Sequence, residues 1–474
     1  MDTAGVSHQK EGSAQIVYMI YLVRRVKCDE ARPSCLRCTS TGRTCDGYEE
    51  AAAEQQSQIQ TVIGGYSNSQ EARSIQFFIE RTLPQLTSFF PDEFWGISVL
   101  QVAQYEPSIS HALVSFSAYH EAFTNGIPGD KIPFALKHYN LSIKELHASH
   151  NSLSHVHLVS CLVFVCIEAS LVIILIRIAV KFTHGHRMMG QFRQLVAEQH
   201  RQATDLNRIL NHVQTLFNRL SLQVVLLVGD VTPELSLQCV SGSQLTMANT
   251  RYTFSSLSEA REALNAILAL RLTETVTNSI LVAEFSQWSQ AFDKFITSRG
   301  GLPFSPNEQR SLALIDLHRR YFNMVLPWES MNNHKDVLSL DNRTSDFEEL
   351  VNCASRVLGL EETDTAPLFH LEIGVVPVLF VIVSWCRDPG IRRRAISLLM
   401  SRQAQEGVWS SHLTGRVARG IVEAEEEELD VRSCQDVPGP RRVRSVYVSL
   451  GPGERQAMIR YGLQDREWEE AIVW

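Results

Sequence analysis

Residues 24 to 48 read RRVKCDEARPSCLRCTSTGRTCDGY, with cysteines at Cys28, Cys35, Cys38 and Cys45 in the spacing C-x6-C-x2-C-x6-C. Ten cysteines spread evenly over 474 residues would place roughly 0.4 in the 18 residues from Cys28 to Cys45, so the four found there mark a chemical site. Thiolates are soft ligands that zinc holds tetrahedrally, and the two-residue gap lets one tight turn offer Cys35 and Cys38 to the same metal. A unit this small cannot bury enough apolar surface to fold alone, so metal binding would supply its folding free energy. Between Arg24 and Cys45 six basic residues (Arg24, Arg25, Lys27, Arg32, Arg37, Arg43) face two acidic ones (Asp29, Glu30), enough to engage phosphates. The whole chain is mildly acidic, 44 Lys and Arg against 52 Asp and Glu, so any affinity for nucleic acid has to come from this local patch.

Outward from the cluster the composition is that of a globular protein, 44% hydrophobic and 20% charged with a mean hydropathy of -0.08. A chain of 474 residues exceeds what one core usually organises, so at least two folding units are expected. The other six cysteines (Cys161, Cys166, Cys239, Cys353, Cys386, Cys434) are dispersed, most of them in apolar surroundings. They read as small buried hydrophobes of a reducing compartment rather than as disulfide partners. The apolar run Ile16 to Val23 is too short, and its positive charges follow it, so it does not read as a secretion signal. LVSCLVFVCIEASLVIILI, Leu158 to Ile176, is nearly long enough to span a bilayer, but Glu168 at its centre favours a buried core helix, and no membrane association is expected.

Glu49 to Ala72, rich in Gln, Ser, Ala and Glu, reads as a linker. It carries no sustained heptad, so a coiled-coil dimer seam is not supported, and homodimerisation through another surface is left open. From about residue 73 the pattern is helix after helix. Ser256 before Glu259, Ser345 before Glu348, and Ser305-Pro306-Asn307-Glu308 are capping signatures, and Asp388-Pro389 opens another helix with Ile391, Ala395, Leu398 and Leu399 on one face. Leu136, Tyr139, Ile143 and Leu146 follow a 3.6 period. Only short alternating runs compete, LQVVLLVGDV (Leu222 to Val231) and VRSVYVSL (Val443 to Leu450). The fold class expected is mainly α: a small metal-cluster domain over 18–48, a linker over 49–72 and a large all-helical domain over 73–474, with 1–17 unassigned.

The stretch from Arg24 resembles the second two-thirds of the fungal zinc binuclear-cluster domain, in which six cysteines bind two zincs in the order C-x2-C-x6-C-x6-C-x2-C-x6-C. Pro33, two before Cys35, matches that family's loop proline, and the basic residues before the third cysteine match as well. The resemblance implies that Cys28, Cys35, Cys38 and Cys45 hold zinc. It also implies that Arg24, Arg25 and Lys27 read CGG-like triplets in the major groove of double-stranded DNA, where Arg pairs with guanine O6 and N7. SIQFFIERTLPQLTSFFPDEFW (Ser74 to Trp95), HALVSFSAYHEAF, FALKHYNLSIKEL and CRDPGIRRRAISLL look like the regulatory region of fungal-specific transcription factors, over most of residues 74 to 430. The implied protein is a nuclear regulator of RNA polymerase II transcription, whose partners are DNA and the transcription machinery.

The departure is equally specific. The family's first two cysteines fall at Tyr18 and Tyr21, and Leu22 stands where the family usually has a basic residue. The resemblance assigns the first and fourth cysteines as bridges between the metals, which implies that one metal position keeps Cys28 and Cys35 and the other Cys35, Cys38 and Cys45. The abrupt change at about Arg24 is what a misplaced exon boundary produces, and transcript sequencing separates that from a degenerate cluster acting through protein partners without DNA. The run after Glu168, SLVIILIRIAVKFTHGHRMMG, breaks the helical pattern in the same manner. An enzyme is not expected: His120-Glu121 opens an HExxH-like string, but Thr124 takes the place of the second histidine, and no nucleotide loop or nucleophile elbow occurs. His184 and His186 read as an exposed loop, and the acidic run Glu423 to Asp430 as a solvated helix end.

Overall fold

The computed structural model describes residues 68–126, 131–148, 155–171, 191, 203–228, 252–270, 276–332, 337–359, 366–450 and 456–473. All of them belong to one unit, Val62–Trp474. In chain order its first helices are α1 (Ser69–Phe77), α2 (Leu83–Leu86), α3 (Val99–Tyr105), α4 (Pro107–Asn125), α5 (Lys131–Ala148), α6 (His155–Leu171) and α7 (Ala203–Val228). There follow α8 (Leu257–Ala269), α9 (Asn278–Ser298), α10 (Pro306–Asn332), α11 (Thr344–Leu358), α12 (Val376–Trp385), α13 (Pro389–Ser401) and α14 (Ser411–Glu426). Two three-stranded sheets complete it: β1 (Leu368–His370), β2 (Ala404–Glu406) and β3 (Trp409–Ser410), then β4 (Ser445–Leu450), β5 (Gln456–Gly462) and β6 (Glu467–Val473).

Helix α4 is the hub, packed by α1, α3, α5 and α6. Pro107 at its first turn costs no hydrogen bond, and Gly126 ends it in the left-handed conformation at φ 64°. Nearly every residue from Ser108 to Ala122 is buried, which suits a helix surrounded on all sides. Its small residues let neighbours approach closely enough for buried serines to bond their backbones. Ser115 Oγ donates to Ala135 O at 2.8 Å, Ser117 Oγ to Ser74 O at 2.5 Å, and Ser142 Oγ from α5 to Ser108 O at 2.6 Å. This close approach decides which face of α5 turns inward. Ala135, His138 and Ser142 are buried, while Leu136 of the expected apolar stripe is 48% exposed.

The second half is an aromatic and aliphatic helix stack. Phe285, Trp288 and Phe292 of α9 stack in sequence at helical spacing, and Trp288 Nε1 donates to Ala260 O of α8 at 2.8 Å. Helices α12, α13 and α14 pack on one another, and α11 lies against α13. In α13, Ile391, Ala395 and Leu399 are buried as expected, under a cap in which Asp388 Oδ1 accepts from Ile391 N at 2.9 Å. The Ser256 and Ser305 caps also form, the latter reciprocally with Glu308. The Ser345 cap does not: a 3-10 turn, Val337–Arg343, leads directly into α11, and Arg343 Nε pairs with Asp346 Oδ2 at 2.7 Å.

The mainly α class holds, with two local corrections. Leu222 to Val228 of the first alternating run continues helix α7, while the second run forms strand β4. After α14 and two short 3-10 turns, Cys434–Asp436 and Gly439–Arg441, the described chain forms an antiparallel meander of β4, β5 and β6. Strand β5 alternates exposed and buried, so Ala457, Ile459 and Tyr461 face Val417 and Ile421 of α14. Gly420 leaves room for the Tyr461 ring, whose hydroxyl would lie 2.1 Å from any Cβ there. The first sheet is internal, with β1 parallel to β2 and β2 antiparallel to β3.

Leu158 to Ile167 of the long apolar run line the core as part of α6, and Glu168 accepts a hydrogen bond from the Tyr139 hydroxyl. Among the described residues no helix is long and apolar enough to cross a membrane. Cys353, Cys386 and Cys434 are free thiols, all buried, and Cys166 is buried as well.

Candidate functional site

The residues expected to bind DNA (Arg24, Arg25, Lys27) and zinc (Cys28, Cys35, Cys38, Cys45), with Tyr18 and Tyr21, lie outside the described residues, as do His184 and His186. The fit of zinc to the cluster therefore stands on donor chemistry. Four thiolates in C-x6-C-x2-C-x6-C suit a zinc position well, and the missing pair leaves the binuclear set four cysteines of six.

The described unit uses its ionisable residues for cohesion. His120 of α4 is 1% exposed; its Nδ1 lies 2.9 Å from Thr82 Oγ1, and its ring stacks on Phe369 of β1. Burial pushes its pKa down to about 3, so it stays neutral. The neighbouring Glu121 is tied to Arg73 at 2.5 Å and Lys131 at 2.8 Å, joining α1, α4 and α5. The His-Glu pair of the HExxH-like string is thus a packing element.

Charges gather where helices meet the internal sheet. Arg219 of α7 and Arg261 of α8 both donate to Glu372 Oε1, at 2.6 and 2.9 Å, just after β1. Burial works to raise the Glu372 pKa, and the two guanidiniums more than offset it, holding the carboxyl below its ordinary value. Glu406 of β2 lacks such a partner. Burial drives its pKa up to about 7, opposed by the amides of Val376 and Val375 at the start of α12, which donate to it at 2.9 and 3.1 Å. Gly374 is required there, since a Cβ would meet the Glu406 carboxyl at 2.3 Å. Gln223, fully buried, donates to Leu371 O and accepts from Val408 N, so α7 is clipped to both ends of the sheet.

A second charge cluster corrects the reading of the acidic run. Glu425 is 0% exposed and accepts from Arg387 and Arg392 at 2.8 and 2.7 Å and from the Val443 amide at 2.7 Å. Glu423 to Asp430 is therefore a solvated helix end only in part, because one of its carboxylates locks α12, α13 and the approach to β4 together. Groups this deeply enclosed cannot meet a substrate. An apolar hollow lined by Leu226, Leu268, Tyr321, Ile373 and Val378 is narrow enough to hold no more than a water-sized guest.

The family profile of the fungal Zn(2)-Cys(6) binuclear cluster domain matches residues 23–55, and that of the fungal specific transcription factor domain matches residues 73–223. These are domains of fungal zinc-cluster transcription regulators. The chain is 24% identical to the aspercryptin biosynthesis cluster-specific transcription regulator of Emericella nidulans, across 95% of this chain and 94% of that protein. Two further matches are short. The transcriptional regulatory protein of Schizosaccharomyces pombe named moc3 is 58% identical over 33 residues, 7% of this chain and 6% of the relative. The transcription regulator lscL of Purpureocillium lilacinum is 67% identical over 27 residues, 6% of each chain. No solved structure matches. The cluster match begins at 23, where the resemblance read from sequence also begins, and zinc is the metal the domain implies.

Proposed function

We propose that this chain is a nuclear, sequence-specific regulator of RNA polymerase II transcription. Arg24, Arg25 and Lys27 read CGG-like triplets in duplex DNA, and Cys28, Cys35, Cys38 and Cys45 hold the zinc that shapes the reading segment. The domain division that goes with this reading is 18–48 for DNA, 49–72 as linker and 73–474 for regulation and contact with the transcription machinery. The observation that carries it is the cysteine spacing with its flanking basic residues, which coincides with the matched range 23–55.

The test replaces Arg25 with Ala in a chain whose Tyr18 and Tyr21 are restored to Cys. Loss of a bidentate guanine contact should weaken matched-site binding by about 1–3 kcal/mol and relax base preference. Arg43→Ala, which acts through phosphates, should weaken matched and scrambled duplexes alike and lower the salt dependence. An unchanged ratio of matched to scrambled affinity for Arg25→Ala defeats the assignment of the reading surface. A second reading is favoured by Tyr18 and Tyr21: a regulator that works through protein partners without DNA. Zinc stoichiometry of the N-terminal 60 residues separates the two, two ions supporting the first and one or none the second.

A further inference from the structure

We infer that strand β4 is a self-association surface: a second copy of the chain lays its own β4 antiparallel against it, across a two-fold axis at Tyr447, and joins the two meanders into one continuous sheet. The strand order β4-β5-β6 leaves two edges, and the sequence treats them differently. Strand β6 carries Glu467, Glu469 and Glu470, charges of the kind that keep an edge from pairing with another chain. Strand β4 reads Ser-Val-Tyr-Val-Ser-Leu, with no charged residue and no proline. Its register with β5 runs unbroken from Ser445 to Leu450, so no bulge twists the edge away either. Among the described residues β4 pairs with β5 alone, and its other side offers backbone amides and carbonyls as a template.

Two observations select a second copy as the occupant. Residues opposite each other in a sheet share a face, so a two-fold strand pair has to be centred on a residue. Ser445 to Ser449 reads the same in both directions, and centring on Tyr447 sets Tyr447 against the partner's Tyr447, Val446 against the partner's Val448 and Ser445 against the partner's Ser449. These are aromatic, β-branched and hydroxyl pairs that favour adjacent strands, and Arg444 stays clear of its own copy. The same operation on β6 would gather the glutamates of both copies along one seam. The second observation is what β4 leaves uncovered. Val446 packs against the cluster formed with α14, but Val448, on the same face and opposite the fully buried Ile459, is 37% exposed. Tyr447, on the other face, is 62% exposed. A partner β4 in this register covers both, valine beside valine and ring beside ring. A strand pair of this length is a small interface, so monomer and dimer should exchange in the micromolar range. The pairing stands independently of the DNA-reading proposal and supplies a dimer contact that the linker, without a heptad, does not.

The test is sedimentation velocity of the full chain, under reducing conditions, over a concentration series through the micromolar range. The expected result is a monomer that passes to a dimer and no further. Tyr447→Lys, at an exposed position, sets two like charges face to face on the axis and should weaken the association at least tenfold, with the far-ultraviolet circular dichroism and thermal melt unchanged. The register is read by cross-linking with an added thiol oxidant, each bridge located by peptide mapping so that the native cysteines are told apart. Tyr447→Cys should give a disulfide-linked dimer by itself; Ser445→Cys and Ser449→Cys should bridge only when the two variants are mixed. A monomer at every concentration, a dimer indifferent to Tyr447→Lys, bridging by Ser445→Cys alone, or an open-ended series of oligomers, which head-to-tail pairing of β4 with β6 would give, each overturns the proposal.

Discussion

Removing the Glu425 carboxylate should be among the most damaging single changes in the helical unit. Its two oxygens serve Arg387 Nη2 at 2.8 Å, Arg392 Nη2 at 2.7 Å and the Val443 amide at 2.7 Å, and all three side chains are at most 1% exposed. Arg387 keeps a bond to Trp385 O at 2.8 Å, and Arg392 keeps Val383 O at 3.0 Å and Glu426 at 3.5 Å, so neither guanidinium is stripped of every partner. Arg387 nevertheless loses its buried counter-charge and Arg392 the nearer of its two, and breaking a buried pair from one side costs about 3–5 kcal/mol. Glu425→Gln keeps a carbonyl for Val443 and belongs at the lower end; Glu425→Ala belongs at the upper end. Against a typical stability of about 5–15 kcal/mol, the alanine variant has little margin left. Urea unfolding followed by tryptophan fluorescence measures the cost, and hydrogen exchange should show β4 opening first because Val443 leads into it. Replacing the triad together (Arg387→Met, Arg392→Met, Glu425→Leu) should recover most of the loss, since no charge is left unpaired. A cost under about 1 kcal/mol for Glu425→Ala, or a triple variant no better than the single, would refute the reasoning.

Gly407→Ala should destabilise by about 2 kcal/mol or more, because φ is 56° and the new Cβ would fall 2.0 Å from Gln223 Oε1, forcing a fully buried amide off Val408 and Leu371. The check is a thermal melt beside Gly439→Ala, where a Cβ meets nothing and the change should be small. His120 has its pKa lowered from 6.5 to about 3 by burial, so its neutral form stabilises the fold fully above pH 6.5 and that contribution drains as pH falls towards 3. His120→Phe keeps an aromatic against Phe369 and removes the titration; its stability should fall less steeply than the parent's between pH 6.5 and 4, and parallel curves from urea melts would count against the reading. Restoring Tyr18 and Tyr21 to Cys should raise zinc content per chain, because the two depleted metal positions regain thiolates, and equal metal content in both proteins would remove these positions from the ligand set.

What the sequence determined by itself is everything set within a few residues of chain. The cluster cysteines and their basic neighbours are legible because ligand spacing is local, and the caps at Ser256, Ser305 and Asp388 because a side chain there bonds a backbone amide three residues on. Helix periodicity placed α13 correctly for the same reason. It placed α5 as a helix too, but which of its faces is most buried is set by the buried serines where it meets α4. The alternation in VRSVYVSL was visible, yet only pairing with residues 456–462 and packing on α14 made it a strand, whereas Leu222 to Val228 stayed helical in α7. Arg219 finds Glu372 across 153 residues and Arg392 finds Glu425 across 33, so no window reading could tell Glu425 from its solvated neighbours.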